Sequence, residues 1–301
     1  MREMRYNKDK LFKRDLAHYE SLVKRRALEA LYDDSREDIT AQALDLKGNA
    51  KAVIVAQEPG VLCGLIEAKY AFLGLKVHTD LEEGAEIKNG QRILGVEGDI
   101  AEILKRERTA LNFLQLLSGI ATETKKITDR VGKYRVAALR KNHPLLTESE
   151  KRAVQVGGGL PHRMSLADGY LVKNTHLAFL KKKFNIDGRQ AVKLAVAQAC
   201  KHRKHTHLHY FVEVEARDAA EAVAAAKTQA DAILIDNQVP KKFREIAMQI
   251  RKVNTTVQIE ASGGITPQNA KKYLDAGASF VSMSYLVMRS KPLNMHLKLL
   301  L

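Results

Sequence analysis

The 301-residue sequence predicts an N-terminal α+β domain followed by an incomplete, open parallel α/β barrel. Three observations predict it. Before Gly98, short β-prone runs are broken by turn signals and interrupted by one helical stretch. After Tyr134, strand-like runs alternate with helix-like ones, which means βαβ units and a parallel sheet. Polar or charged residues follow almost every strand of this second half, as they do at the working rim of a barrel. Alternation alone suits either a barrel or a doubly wound sheet.

Residues 8–32 read as an amphipathic helix, with Leu11, Leu16, Leu22 and Leu28 spaced among charges. KAVIVAQ, GVLCG, LKVHT and QRILGVEG then read as short strands, with Glu83-Gly84 and Asn89-Gly90 as turns and a helix at about 64–73. A long helix at about 102–131 carries Leu111, Leu114, Leu117 and Ile120 on related faces. The strands of the second half are Tyr134–Leu139, Gly169–Lys173, His209–Val214, Asp231–Ile235, Val257–Glu260 and Ser279–Met283. Helices are expected between them at about 146–156, 186–202, 217–228, 239–251 and 267–276. The expected domains are 1–118, an α+β sandwich, and 119–284, the α/β barrel, with a tail at 285–301 that packs back on the first.

Fifty Lys and Arg against 35 Asp and Glu give a net charge of +15, so the field of the protein attracts anions. Nucleic acid, an acidic membrane face and small substrates carrying phosphate or carboxylate all fit that sign. Cys63 and Cys200 stand far apart in no CxxC spacing, which argues against a disulfide framework or a cysteine-rich metal site. The opening MREMRYNKDKLFKRDL has no apolar core, so it does not read as a secretory signal. No apolar run is long enough to span a bilayer, and the cytoplasm is the expected compartment.

The chemistry clusters after the strands. Arg140 and Lys141 follow the first and Lys173 ends the second; Glu215 lies past the third, Asp236 the fourth, Ser262-Gly263-Gly264 the fifth and Ser284 the sixth. In SGGITP, two glycines let backbone approach a ligand, and Thr266-Pro267 reads as an N-cap and first turn, a pattern that suits phosphate. Gly157-Gly158-Gly159 reads as a helix end. His162 and Arg163 come next, close enough to Lys173 to share its rim; Arg suits bidentate recognition of carboxylate or phosphate, Lys a point charge. KHRKHTHLHY at 201–210 reads as a solvated basic helix end, since no carboxylate or cysteine spacing accompanies its four histidines. It also lacks aromatic interleaving, so nucleic acid is not the expected partner.

These motifs resemble the quinolinate phosphoribosyltransferase family, also called nicotinate-nucleotide pyrophosphorylase (carboxylating), almost end to end. The carriers are REDIT, GVLCGL, ERTALNFLQLLSGIAT (107–122), RK (140–141), GGGLPHRM (157–164), LVKNTH (171–176), VEVEA (212–216), ILIDN (233–237) and EASGGIT (260–266). The resemblance implies a transferase of pyridine nucleotide (NAD) biosynthesis. It would join quinolinate to 5-phosphoribosyl 1-pyrophosphate, release pyrophosphate and CO2, and leave nicotinate mononucleotide. It further implies Mg²⁺ and a homodimer in which one subunit closes the barrel mouth of the other. By the same resemblance, Arg108 (from the neighbouring subunit), Arg140, His162, Arg163 and Lys173 bind quinolinate. Lys141 contacts the phosphoribosyl substrate, Glu215 and Asp236 lie near ribose and metal, and Ser262, Gly263, Gly264 and Ser284 surround phosphate.

The sequence departs from the family pattern in three places. DTRKTTPG becomes AALRKNHPLL, with Ala138, Asn142, His143 and Leu145 at altered positions; KDNH becomes KNTH, with Asn174 for aspartate; and VGALTHS becomes MSYLVMR, with Ser284, Val287 and Met288. Two alternatives stay open on this ground: a paralogue acting on another small anion, or a catalytically weak protein binding nucleotide or nucleic acid.

Overall fold

Two kinds of strand sort this chain into two units. Among the described residues, one unit comprises those from Leu16 to Lys126, Asn142–Gly159 and those from Leu286 to Leu300; the other comprises Ile127–Lys141 and Leu160–Tyr285. The computed structural model describes residues 16–34, 37–206 and 210–300.

In the first unit, α1 (Leu16–Asp34) and α2 (Ile39–Ala43) precede β1 (Asn49–Ala56), β2 (Gly60–Val61), α3 (Leu65–Ala71), β3 (Lys76–His78), β4 (Glu86–Ile87) and β5 (Arg92–Asp99). The long helix α4 (Ile100–Val131) follows. β1 is central in an antiparallel sheet whose order is completed by β12 (Met295–Leu300): β12-β1-β5-β3. Alternation puts Ala52, Ile54 and Ala56 of β1 into the core beside Leu62, Phe72, Leu94, Leu111 and Leu114. Glu83 accepts the free N–H groups of Gly64 and Leu65, satisfying the start of α3.

The second unit holds β6 (Val136–Ala138), β7 (Tyr170–Val172), α6 (Asn174–Phe184), α7 (Gly188–Thr206), β8 (Val212–Ala216), α8 (Ala219–Ala226), β9 (Ala232–Asp236), α9 (Pro240–Val253), β10 (Gln258–Ser262), α10 (Ala270–Asp275) and β11 (Phe280–Met283). Of the remaining helices, α5 (Thr147–Val156) falls between β6 and β7 in sequence and α11 (Tyr285–Met288) follows β11. Its six strands pair in parallel in the order β6-β11-β10-β9-β8-β7. A closed barrel would also pair the first strand with the second. Here β6 and β7 are the two edges, so the barrel is open, as the sequence predicts. Helices cover the outside. In α9, Phe243, Ile246, Ala247 and Ile250 form one buried stripe, Pro240 opens the helix, and in α8 Asp218 accepts from Glu221 N.

Most predicted elements recur with ends shifted by a few residues, and several differ. The first helix is described from Leu16, and residues 8–15 and 207–209 lie outside the described residues. The third barrel strand is Val212–Ala216, not His209–Val214. α2, β4, α6, α11 and β12 were not expected. The helix after SGGITP starts at Ala270, not at 267, so Thr266 is not its cap: Asn269 Oδ1 accepts from Thr266 N and Asn269 Nδ2 donates to Gly264 O. Among the described residues, no helix is long and apolar enough to cross a membrane. Both cysteines are buried free thiols.

Candidate active site at the strand ends of the open barrel

Pleating builds the site in two levels. Leu171, Glu213, Leu234, Glu260 and Ser282 share the sheet face that bears Ala137, as the strand registers show. Two residues further along each strand direction, on the same face, come Lys173, Glu215, Asp236, Ser262 and Ser284. One step of about 6.6 Å thus separates a floor from a rim.

On the rim, Asn174 Nδ2 donates to Glu215 Oε1 at 2.5 Å. Partial burial, then the neighbouring Asp236 charge, raises the Glu215 carboxyl above its ordinary range; Asn174, Lys173 and Arg217 oppose that rise. Lys173, Glu215 and Asp236 therefore feel one another. Asn237, which takes a left-handed backbone (φ 51°), donates Nδ2 to Asp236 Oδ2 at 2.6 Å, and its N–H donates to Ser262 O at 2.9 Å. Gly263 (φ +85°) packs so closely here that a Cβ would sit 2.2 Å from Asn237 Oδ1. The glycine turn is thus required by the loop after β9 as well as by its own backbone. Arg140 and Lys141 are exposed just past β6.

His162 and Arg163 do not lie on the rim; both are buried. The chain enters the gap beside β6 because Leu160 pairs with it: Leu160 N donates to Val136 O and Ala138 N to Leu160 O. His162 then takes a left-handed backbone (φ 53°), a conformation that costs a β-carbon-bearing residue about 1–3 kcal/mol and marks functional sites. Its Nε2 sits 3.0 Å from Glu213 Oε2 and 3.0 Å from Glu260 Oε2, and both acids are fully buried. Ser282 Oγ donates to Glu260 Oε1 at 2.5 Å, and Phe211 meets the imidazole edge-on at 5.5 Å. Arg163 donates to Gly169 O.

Burial would drive His162 towards neutrality, but Glu260 and then Glu213 raise its pKa to about 10. Burial and the Glu260 charge push Glu213 up to about 8. Burial works against Glu260 too, yet the His162 charge and the Ser282 hydroxyl hold it below the ordinary range. Among the described residues, His162, Glu213 and Glu260 are also the one cluster of three with donor atoms close enough to hold a metal ion. A shared imidazolium accounts for the same distances.

Glu213 and Glu260 are the site residues the sequence reading missed. The signal was present: VEVEA and VQIEA each carry a charge inside a run that is otherwise buried on both faces. Of the other expected residues, Arg108 lies exposed on α4 in the first unit. Asn142 and His143 of the altered loop both bind the fully buried Glu150, and Leu145 stands in a left-handed backbone (φ 69°). Tyr170 OH meets His202 Nδ1 at 2.8 Å, which ties part of the histidine-rich stretch to β7.

A parallel barrel, open at one seam, with cations, a carboxylate pair and a glycine turn at its strand ends defines a barrel enzyme for anionic substrates. The family models for the N-terminal and C-terminal domains of quinolinate phosphoribosyl transferase match residues 38–118 and 120–298. This chain belongs to the quinolinate phosphoribosyl transferase family. It is 35% identical over 272 residues to a probable nicotinate-nucleotide pyrophosphorylase (carboxylating) of Methanothermobacter thermautotrophicus, covering 87% of this chain and 93% of that protein. It is 33% identical over 269 residues to the Mycobacterium leprae nicotinate-nucleotide pyrophosphorylase (carboxylating), covering 85% and 90%. The solved nicotinate-nucleotide pyrophosphorylase of Francisella tularensis superposes with a TM-score of 0.80 at 27% identity, covering 93% of this chain and 97% of that one. NadC from Streptococcus pyogenes gives 0.77 at 31% identity, covering 92% and 96%.

Proposed function

We propose that this protein transfers the phosphoribosyl group of 5-phosphoribosyl 1-pyrophosphate to the ring nitrogen of quinolinate, releasing pyrophosphate and CO2 and leaving nicotinate mononucleotide. The observation that carries the reading is the two-level arrangement at the strand ends. Lys173 stands beside a carboxylate pair with a glycine turn close by, His162 lies a level below, and the family's name supplies the substrate. Arg140, Arg163, Lys173 and His162 bind the adjacent carboxylates of quinolinate, joined by Arg108 of a second protomer in a cytoplasmic homodimer. Lys141 binds the phosphoribosyl substrate, and Ser262, Gly263, Gly264 and Ser284 receive its 5-phosphate.

Glu215 and Asp236 form a mutually repelling, half-buried oxygen pair, which suits a hard cation such as Mg²⁺. Bound there, Mg²⁺ would neutralise the pyrophosphate leaving group. The carboxylates themselves stabilise positive charge developing at the ribose carbon as that group departs. Transfer makes the pyridine ring cationic, and the cation stabilises the electron pair left when CO2 leaves until that carbon takes a proton from solvent.

Pyrophosphate release tests the reading. Quinolinate with 5-phosphoribosyl 1-pyrophosphate and Mg²⁺ should give steady turnover, and nicotinate, which has one carboxylate, should give little. Turnover with another aromatic acid but none with quinolinate would assign the chain a different substrate.

A further inference from the structure

The floor of the barrel carries an acidic pair that the transfer reaction does not itself employ. Glu213 and Glu260 come from β8 and β10 and converge on one atom, His162 Nε2. A single N–H cannot point along two directions. Glu260, itself held by Ser282, takes the hydrogen bond. Glu213 Oε2 lies at the same 3.0 Å and closes the other side of Nε2. Glu260 is a fully buried carboxylate, and with His162 Nε2 3.0 Å away its charge is compensated only if the imidazole is protonated. With Nε2 taken by the two acids, Nδ1 is the nitrogen left for a substrate.

We infer that Glu213 and Glu260 are positioning residues for substrate recognition: they grip Nε2–H of His162 from the barrel floor and leave Nδ1–H as a fixed, charged donor to one carboxylate of the dicarboxylate substrate. The inference rests on the reading that His162 binds quinolinate. Its physical content is orientation. Without the pair, a neutral imidazole could flip, and its free nitrogen could be an acceptor facing an anion. The left-handed backbone of His162 and the edge-on Phe211 restrict the ring further, so the acids, not solvent, decide which nitrogen meets the substrate.

The test is steady-state kinetics on the full-length protein with Glu260→Gln, Glu213→Gln, His162→Gln and the double variant His162→Gln/Glu260→Gln. Each acid variant is expected to raise KM for quinolinate about tenfold while changing kcat and KM for 5-phosphoribosyl 1-pyrophosphate less than about threefold. The double variant is expected to be no worse than His162→Gln alone, because the acid acts only through the ring. Glu260→Asp should recover part of the loss. If His162→Gln leaves quinolinate KM unchanged, the binding role of His162 fails; if it raises KM and the acid variants do not, the positioning role fails. Multiplicative loss in the double variant also overturns it.

Nitrogen-15 NMR of histidine-labelled parent protein keeps the question open to refutation should a variant not fold. His162 should show both nitrogens protonated near neutral pH, with quinolinate moving the Nδ1 resonance and leaving Nε2 in place. A neutral ring, or a shift confined to Nε2, overturns the inference.

Discussion

Glu213 and Glu215 stand two residues apart on β8 and face the same way, yet Glu213 is fully buried against His162 while Glu215, half-buried, accepts from Asn174 beside Asp236. One strand thus supplies an acid to the floor and another to the rim. The two should fail differently when neutralised.

Glu215→Gln should reduce kcat about 10²-fold, the scale for removing a group that stabilises transition-state charge. Its half-exposed position predicts little change in unfolding free energy, within about 0.5 kcal/mol. Parallel urea unfolding and initial rates check this. A large loss of stability with unchanged kcat would assign Glu215 a structural role.

Arg140→Ala should raise KM for quinolinate about 10- to 100-fold, since a charge-assisted hydrogen bond contributes about 1.5–3 kcal/mol. Arg140 is exposed past β6, so folding should be unaffected. An unchanged KM removes it from the site.

Leu145 holds a φ of 69° where the family pattern carries glycine, and its side chain is exposed. Relief of left-handed strain should make Leu145→Gly more stable by about 1 kcal/mol, offset in part by the entropy of the glycine. Chemical unfolding measures it, and a clear loss of stability would contradict the assignment of strain.

The parts of the fold that bury apolar runs were legible in the sequence. AILID and FVSM read as strands because both faces are covered, and the stripe of α9 reads as a helix for the same reason. The misplaced third strand shows the limit. The charge at Glu215 suggests a strand ending early, but a barrel interior can hold charge, as it does at Glu213, when a counter-ion enters from elsewhere in the chain. That counter-ion, His162, sits 51 residues upstream of Glu213 in a segment with no secondary structure of its own. β12 escaped notice because its pairing with β1 is set by a partner more than 200 residues away. The positions that follow the strands were readable in the sequence; Glu213 and Glu260, though visible as charges inside buried runs, were not singled out because their part depends on which face each strand turns inward.

The pH dependence of stability follows from the floor. His162 has a folded-state pKa raised to about 10 from 6.5, so its contribution is complete below about pH 6.5 and is lost as pH rises through 10. Glu213, raised from 4.5 to about 8, acts in the same sense: the fold favours its proton, and stability falls as pH rises across that window. The stability gap between the parent and His162→Gln should be widest near pH 6 and shrink towards pH 10. Urea titrations across that range read it directly, and a pH-independent gap would contradict the ion pair.

Gly263→Ala should be destabilising, because its Cβ would meet Asn237 Oδ1 at 2.2 Å and φ is +85°. Beyond the loss of stability, the phosphate reading predicts a rise of about tenfold or more in KM for 5-phosphoribosyl 1-pyrophosphate, the size of one lost charged contact of about 1.4 kcal/mol. A raised KM for quinolinate alone would place the phosphate elsewhere.

The most direct measurement uses quinolinate carrying a radiolabel in its 2-carboxylate. With 5-phosphoribosyl 1-pyrophosphate and Mg²⁺, labelled CO2 should appear in step with nicotinate mononucleotide, one for one, and Glu215→Gln should slow both together. Label that stays in the pyridine product, or no release at any substrate concentration, would contradict the account.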